Sequence, residues 1–402
     1  MKKLYTAMAI AAASVLTLAS CTGGGSAEPV LEITEPTLGS VPAGVLDGHT
    51  LTFAGDGGST QDGMMSAWFD PFAATSGATF NQDAPQTMAK IESQVDSGNI
   101  QWDFVSSYGD QIERECGVLF EKLDMSKLDV SEIPESIPLL DCGVPSIVYG
   151  VAITYNTEIF GEDGPETWND FFDVDKFPGN RTVYNGDGNI DAPVVQGAAI
   201  AAGWDPSTPF TAEWANKGLD KLQEIADSIV FYNTGASAQQ LLESGEVVMG
   251  AVWTGRILAA EKNGAPLATN WIDWISVIDY FAIVKSTENL EAAYYAINYA
   301  LGAEQQAGFT EATGYSPANV NSKPKIDELT EAYLVTAPDK ADTTVPVATE
   351  FWADADTVSP LQDRWSAIIA GAQDAAATSR IRWSSLAHNC LAGEGQYPSP
   401  VQ

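Results

Sequence analysis

The stretch IVYGVAITY, residues 147–155, is a nine-residue run in which seven residues are β-branched or aromatic, and it contains no turn signal. Because β-branched and aromatic residues prefer extended backbone, this run predicts one continuous strand. Shorter β-rich stretches lie on both sides of it, such as LTFAG at 51–55 and RTVY at 181–184, and segments of helical periodicity such as 191–202 lie between them. Strands that alternate with helices predict an α/β fold with parallel or mixed sheets covered on both faces.

The composition is that of a folded and strongly acidic protein. The chain has 402 residues, 45% of them hydrophobic, and so can build two or three domain-sized cores. Acidic residues outnumber basic ones by 54 to 19, which gives a net charge of −35. Because phosphate binding needs clustered Lys and Arg, this charge argues against nucleic acid and anionic membrane surfaces as partners. It would suit a cationic ligand, although an acidic surface adapted to salty surroundings explains it equally simply.

The N-terminal segment predicts export. Two lysines precede an apolar run at 4–18, which is the pattern of a secretory signal peptide over residues 1–20. The run ends in LASC, which resembles the lipobox of bacterial lipoproteins and implies a lipid anchor on Cys21. Residues 21–47 would then form the lipidated cysteine and a flexible tether. The alternative is a plain secreted protein whose signal happens to end in cysteine. No later stretch is long and apolar enough to predict a membrane span.

The four cysteines can be assigned once export is accepted, because exported proteins can form disulfides. With Cys21 lipidated, three cysteines remain. Cys116 and Cys142 enclose a short loop and form the natural pair, which leaves Cys390 unpaired. Since the chain has two histidines and no CxxC motif, no zinc site is expected.

Catalytic and cofactor motifs are absent from the sequence. It contains no GxSxG elbow, P-loop or HExxH helix, and the glycine turn at 55–57 has Thr60 where a dinucleotide fingerprint needs a third glycine. Alternating acids and amides at 185–191 begin like a calcium loop. However, Ile190 occupies the glycine position of that loop and Gln196 the position of its bidentate glutamate. The sequence therefore predicts neither a metal, a cofactor nor an enzymatic activity.

Nine short segments are similar to those of a known family. The most specific are TWNDFFD at 167–173 and KFPGNR at 176–181. The others are ECGVLFEKLD at 115–124, DCGV at 141–144, ITYN at 153–156, SGEV at 244–247, VWTGR at 252–256, IDYFAI at 278–283 and TGYSPAN at 313–319. Together they resemble the extracellular solute-binding proteins of ABC importers, in the branch that includes spermidine/putrescine-binding proteins. The resemblance covers about residues 49–371.

This resemblance implies a type II periplasmic-binding-protein-like fold, in which two α/β lobes are joined by two crossing strands. Residues 147–155 would be the first crossing strand and residues 279–284 the return strand. The expected domain limits are 48–149 plus 281–345 for lobe 1, 150–280 for lobe 2, 346–377 for a C-terminal helical segment and 378–402 for a tail without an assigned role.

The resemblance also implies a ligand site in the cleft between the lobes. Polyamine recognition needs carboxylates to pair the ammonium groups and aromatic faces to hold the methylene chain. The candidate binding residues are Trp253, Asp279, Tyr315, Asp191, Ser107, Tyr108 and Ser59. Each of them could instead have an ordinary structural role in the core, in a turn or at a strand end.

The candidate site departs from the polyamine pattern of the family. Ser59 lies in a DGGSTQ loop at 56–61, where the family has an aromatic-Thr-acid-aromatic sequence. Val277 and Val194 replace an expected tryptophan and an expected acid. If Arg256 faces the cleft, its guanidinium favours a solute that carries a carboxylate.

The expected function is therefore that of a monomeric, lipid-anchored solute-binding protein without chemistry of its own. It would capture a small polar solute, with a polyamine-like cation favoured, and deliver it to the membrane permease of an ABC importer after hinge closure. An amino-acid-like zwitterion is the alternative solute. The alternatives from other classes are a secreted glycoside hydrolase with two carboxylates flanking a long groove, and an adhesion or scaffold lipoprotein without a small-molecule cleft.

Overall fold

The computed structural model describes residues 31, 33, 35–161 and 163–372. The signal sequence, the lipidation site Cys21, Cys390 and the tail at 378–402 lie outside the described residues. Among the helices that are described, none is long and apolar enough to cross a membrane.

The described strands form one mixed sheet of nine strands. Their order across the sheet is β2-β1-β3-β8-β4-β7-β5-β6, and β9 pairs with β8 beside this path. The strands are β1 (Thr50–Ala54), β2 (Thr79–Asp83), β3 (Phe104–Tyr108), β4 (Val144–Asn156), β5 (Arg181–Tyr184), β6 (Ile229–Tyr232), β7 (Met249–Trp253), β8 (Leu267–Ile283) and β9 (Thr344–Pro346). The predicted α/β class with a mixed sheet is confirmed.

Two long antiparallel strands, β4 and β8, connect the two halves of this sheet. Residues 279–283 of β8 pair with β3, whereas residues 151–155 of β4 pair with β7. We call the part of the molecule around β1–β3 the first lobe and the part around β5–β7 the second lobe. The sequence predicts a return strand that begins at Asp279, but β8 begins twelve residues earlier, at Leu267. Its first half, LATNWIDWIS, mixes polar and aromatic residues, includes Asp273 at φ 53° and so lacks the apolar run that marks its second half.

Helices cover the sheet, and several of them are the next element after a strand. The α-helices are α1 (Gly58–Met64), α2 (Asp70–Ser76), α3 (Met88–Ser97), α4 (Gly109–Arg114), α5 (Thr157–Phe160), α6 (Trp168–Phe172), α7 (Ala192–Ala201), α8 (Ala212–Glu224), α9 (Gly235–Ser244), α10 (Thr254–Lys262), α11 (Leu290–Ala300), α12 (Ala303–Thr313), α13 (Glu328–Ala332), α14 (Pro338–Ala341) and α15 (Thr349–Trp352). A π-helical segment, Met65–Phe69, joins α1 to α2, and residues 355–372 are also helical.

A disulfide fixes the first lobe close to the crossing strand. Cys116, just after α4, is bonded to Cys142, just before β4, with a Cα–Cα distance of 5.5 Å. The bond therefore ties the end of α4 to the start of β4.

The C-terminal strap, which we define as residues 344–352, runs along the second lobe. β9 pairs with residues 274–276 of β8, and the buried Trp352 donates from its indole Nε1 to the side chain of Gln196 in α7 at 2.9 Å. Arg114 of the first lobe donates to the carbonyl oxygen of Trp352 at 2.8 Å. The strap therefore contacts both lobes.

Candidate functional site

A cavity of about 180 Å³, which we call the central cavity, lies where the two lobes meet the crossing strands. The first lobe contributes the loop after β1 and the start of α1, and the second lobe contributes the ends of β5 and β7 with the start of α10. Its side-chain lining includes Asp56, Thr60, Gln61, Met64, Ser106, Ile147, Tyr149, Tyr184, Thr234, Trp253, Arg256, Asp279 and Tyr315. Ligands in α/β proteins generally bind at such strand ends.

The second lobe supplies an aromatic wall. Three neighbouring parallel strands, β5, β6 and β7, each end in an aromatic residue, namely Tyr184, Tyr232 and Trp253. The Trp253 ring lies 4.9 Å from that of Tyr184 and 5.5 Å from that of Tyr232, measured between centroids. Because parallel strands end at the same edge of a sheet, this repeated position brings the three rings together.

A second pair of aromatic residues lines the cavity from the other side. The rings of Tyr149, in β4, and Tyr315, after α12, are 5.4 Å apart. Gly255 in α10 makes room for Tyr315, because a Cβ at this glycine would lie 2.6 Å from the tyrosine ring. The cavity can therefore enclose a short apolar chain between aromatic faces.

Asp279 provides a buried carboxyl group. Its side chain is 7% exposed, and the hydroxyl of Tyr149 donates to its Oδ1 at 3.0 Å. Burial raises the pKa of Asp279 well above its ordinary range, the nearby Asp56 raises it further, and the hydrogen bond from Tyr149 lowers it. A carboxylate in this position is stabilised by a cation that enters the cavity.

Arg256 provides a buried positive charge. It lies in the first turn of α10, is 6% exposed, and donates to the hydroxyls of Ser59 and Thr60 in α1. Its Nε is buried without a hydrogen-bond partner among the described residues. Gly235 leaves space for this group, since a Cβ there would collide with Nε.

Arg256 and Asp279 line the same cavity but do not form an ion pair with each other, and neither pairs with another charged side chain of the described chain. Tyr315 is influenced by both: Arg256 lowers the pKa of its hydroxyl and Asp279 raises it, while burial remains the largest cause of its raised pKa. The cavity therefore presents one cationic and one anionic group that a dipolar ligand can satisfy together.

Five of the seven predicted binding residues line one of two cavities. Trp253, Asp279 and Tyr315 line the central cavity. Tyr108 and Asp191 line a second cavity of about 120 Å³.

The two predicted serines have supporting positions. Ser59 holds Arg256 and is not itself a lining residue. Ser107 accepts a hydrogen bond from Gln86 at 3.0 Å, and its neighbour Ser106 lines the cavity instead. Because successive strand residues point to opposite faces of a sheet, only one of these two neighbouring serines can face the cavity.

The lining residues that sequence reasoning missed include Asp56, Thr60, Tyr149 and Tyr184, and it treated Arg256 as an open question. A usable signal exists for the aromatic wall, because RTVY, IVFY and MGAVW are three short strands that each end in an aromatic residue. Tyr149 carries no such signal, since tyrosine is an ordinary strand residue inside IVYGVAITY.

One group of potential metal ligands is present among the described residues, formed by Glu113, Cys116 and Asp141. Because the sulfur of Cys116 belongs to the disulfide, it offers no thiolate to a metal ion.

Comparison with known proteins gives the same picture of the fold. The family model for bacterial extracellular solute-binding proteins matches residues 67–338, about two thirds of the chain. A γ-aminobutyric acid-binding protein from Pseudomonas aeruginosa is 29% identical over 314 residues, which cover 76% of this chain and 87% of that protein. A spermidine/putrescine-binding periplasmic protein from Haemophilus influenzae is 28% identical over 269 residues, which cover 62% and 70% of the two chains.

Solved structures match over most of the described chain. The Atu4243 GABA receptor is 31% identical with a TM-score of 0.71, and the match covers 80% of this chain and 98% of that one. MotA from A. tumefaciens B6, solved in complex with glucopine, is 28% identical with a TM-score of 0.72 and a coverage of 80% and 99%. The predicted two-lobed, type II binding-protein fold is thereby confirmed. From its family match, its fold and its inter-lobe cavity, the chain belongs to the bacterial extracellular solute-binding proteins.

Proposed function

We propose that this protein binds a short ω-amino acid, such as γ-aminobutyrate, and delivers it to the permease of an ABC importer. The observation that carries the proposal is the pair of buried, mutually unpaired charges, Arg256 and Asp279, in one cavity. Leaving an isolated charge without a partner in a protein interior costs several kcal/mol, so a ligand that satisfies both charges gains strongly from binding.

The carboxylate of the solute would bind Arg256. A guanidinium offers a planar fork of donors that matches a carboxylate, and the Nε of Arg256 has no partner among the described residues. The hydroxyls of Ser59 and Thr60 hold the guanidinium from the first lobe. A carboxylate at this position would therefore be enclosed by groups from both lobes.

The ammonium group of the solute would bind Asp279. Tyr149 already orients this carboxylate through its hydrogen bond at 3.0 Å. The methylene groups between the two ends would pack on Trp253 and Tyr315, whose faces also attract a cation. A cavity of about 180 Å³ suits a small solute of this kind.

Two of the similar proteins support this choice by what they bind. The Pseudomonas aeruginosa relative is a γ-aminobutyric acid-binding protein, and Atu4243 is a GABA receptor. Both matches cover about three quarters or more of this chain. They suggest the solute class, while the argument for this chain rests on its own charged residues.

A polyamine-like cation is the second candidate solute. It is favoured by two carboxylates in the central cavity lining, Asp56 and Asp279, by the net charge of −35, and by the spermidine/putrescine-binding relatives. Arg256 argues against it, because a buried guanidinium would repel the second ammonium group of a diamine.

Export and anchoring complete the proposal. The signal sequence at 1–20 and the lipobox-like residues before Cys21 suggest a lipoprotein held at the outer face of the cell membrane. Metabolic labelling with a radioactive fatty acid, compared between the wild-type protein and Cys21→Ala, tests this part. Label that persists in Cys21→Ala would contradict it.

The solute site is tested by calorimetric titration of γ-aminobutyrate into the wild type and two variants. Arg256→Gln and Asp279→Asn should each lower the affinity by about 10- to 100-fold, because each removes one charge-assisted contact. Arg364→Gln is the matched control, since Arg364 pairs with Asp220 on the second lobe and does not line the cavity. Unchanged affinity in both cavity variants would refute the proposal.

A further inference from the structure

The loop at residues 185–190, which we call the cleft loop, joins β5 to the N-cap of α7 at one edge of the second lobe. It begins directly after Tyr184, which lines the central cavity. Two of its residues face the first lobe across a narrow cavity of about 20 Å³. We propose that Gln362 and Trp365 are positioning residues of the solute site, because they hold the cleft loop and, through it, Tyr184. The inference deepens the proposed function and rests on it.

Both residues belong to the helix at 355–372, which docks on the second lobe through one apolar face. Its buried residues recur every three or four positions, the spacing that places side chains on one side of a helix. They are Val358, Leu361, Trp365, Ile368 and Ala372. On the same helix, Arg364 pairs with Asp220 of α8 at 2.6 Å. The helix is therefore fixed to the second lobe by contacts other than those with the cleft loop.

Gln362 binds the second half of the cleft loop. Its Oε1 accepts a hydrogen bond from the backbone N–H of Ile190 at 2.6 Å, and its Nε2 donates to the carbonyl oxygen of Gly188 at 3.3 Å. One amide side chain thus satisfies a backbone donor and a backbone acceptor two residues apart. These contacts fix the turn that leads into α7.

Trp365 binds the first residue of the cleft loop. Its ring is fully buried, and its indole Nε1 donates to the carbonyl oxygen of Asn185 at 3.1 Å. Asn185 follows Tyr184 directly, and its own N–H donates to the carbonyl oxygen of Tyr232 at 2.9 Å. The peptide units on both sides of Asn185 are therefore held, one by β6 and the other by the C-terminal helix.

These contacts support the aromatic wall of the central cavity from behind. Trp365 also packs edge-on against Phe231, with 5.9 Å between the ring centroids. Phe231 precedes Tyr232 in β6, so the two side chains point to opposite faces of the sheet. The rings of Tyr184 and Tyr232 lie 5.3 Å apart, and both contact Trp253. A strand end that is held in place before binding lowers the ordering cost of binding, so loosening the cleft loop should weaken the grip on a solute.

The first measurement is amide hydrogen exchange of the ligand-free protein, followed in peptides that cover residues 184–191. Gln362→Met keeps the length of the side chain without its hydrogen bonds, and Trp365→Phe keeps an aromatic ring without the indole N–H. Both variants should exchange faster than the wild type in these peptides. The amide of Asn185 is the most informative, because its hydrogen bond goes to Tyr232 and so reports on the end of β5. Arg364→Gln is the matched control on the same helix and should leave this exchange unchanged.

The second measurement is the binding of γ-aminobutyrate to the same variants. Gln362→Met and Trp365→Phe should each lower the affinity about three- to tenfold, as expected for the loss of hydrogen bonds, through faster dissociation at an unchanged association rate. Gln362→Glu keeps the acceptor for the N–H of Ile190 and should recover part of the affinity that Gln362→Met loses. Arg364→Gln should bind like the wild type.

Unchanged exchange in both Gln362→Met and Trp365→Phe would overturn the inference, and so would wild-type affinity in both. An equal loss of affinity in Arg364→Gln would also overturn it, because general docking of the helix would then explain the effect. If the wild type does not bind γ-aminobutyrate, the proposed solute is rejected. The exchange measurement and a titration of putrescine into the same variants then decide this inference separately.

Discussion

At the scale of single residues, Trp253 combines a structural and a binding position. It ends β7, is the N-cap residue of α10 and packs against both Tyr184 and Tyr232, yet it remains part of the central cavity wall. A residue in this position can act as an anchor for a ligand, because its large rigid face is already ordered before binding.

Trp253→Ala should weaken γ-aminobutyrate binding by about 1–3 kcal/mol, the usual cost of losing an aromatic anchor. The measurement is a calorimetric titration alongside circular dichroism to verify folding. Trp214→Ala is the matched control, since Trp214 lies in α8, stacks on Lys217 and does not line the cavity. Equal affinities of the two variants would assign Trp253 to the core alone.

Asp191 makes the stability of the ligand-free protein depend on pH. Its pKa of about 8 lies above the ordinary 3.8, so between these values the folded state binds more protons than the unfolded state. The unfolding free energy of the wild type should therefore fall as pH rises through this window, by up to about 1.4 kcal/mol per pH unit from this group.

Asp191→Asn removes this loss and keeps the helix cap. The stability difference between Asp191→Asn and the wild type, measured by urea denaturation at pH 5, 6.5 and 8, should shift progressively in favour of the variant as pH rises. A difference that is constant over this range would contradict the raised pKa of Asp191.

At the scale of elements, α10 is the helix that positions two cavity side chains, Arg256 and Tyr315. Its first turn carries Arg256, and its Gly255 touches the ring of Tyr315. Because Arg256 lines the cavity and Gly255 lies against the ring of Tyr315, a single methyl group added at Gly255 should alter the site.

Gly255→Ala should displace Tyr315 and lower the affinity for γ-aminobutyrate by about tenfold or more, since the new Cβ would lie 2.6 Å from the ring. Gly308→Ala in α12 is the matched control, because its Cβ would meet only Ala67 at an ordinary 3.5 Å. Alanine normally favours a helix over glycine by about 0.5–1 kcal/mol, so the control should be neutral or stabilising. Wild-type affinity in Gly255→Ala would show that the ring position is unimportant.

Elements with a strong local pattern were predictable from the sequence. The β-rich stretches at 51–55 and 181–184 and the helical periodicity at 191–202 correspond to β1, β5 and α7. The first half of β8 was not predictable, because its pairing with β4 and β9, and not local propensity, holds LATNWIDWIS extended.

The candidate site was predictable only in part. Trp253, Asp279 and Tyr315 were predicted from the family resemblance, and all three line the central cavity. The sequence could not separate Tyr108 and Asp191 from them, because the division into two cavities arises from how β8 and the strap pack. The orientation of Arg256 depends on hydroxyls about 200 residues earlier in the chain, a contact without any local signal.

At the scale of the whole molecule, arginine side chains connect the first lobe to the second lobe and to the strap. Arg256 of the second lobe binds Ser59 and Thr60 of the first, and Arg114 of the first lobe binds Trp352 of the strap. A solute carboxylate at Arg256 would add to the first of these contacts. Closure around the solute would then be favoured because the ligand contacts both lobes at once.

The central claim is that the cavity recognises one positive and one negative end of a single small solute. γ-Aminobutyrate and putrescine test it most directly, because both have a four-carbon backbone and a primary ammonium group, and they differ in whether the other end is a carboxylate or a second ammonium. The measurement is calorimetric titration of each into the wild-type protein. The account predicts that γ-aminobutyrate binds at least about tenfold more tightly, since only its carboxylate can pair with Arg256. Tighter binding of putrescine would contradict it.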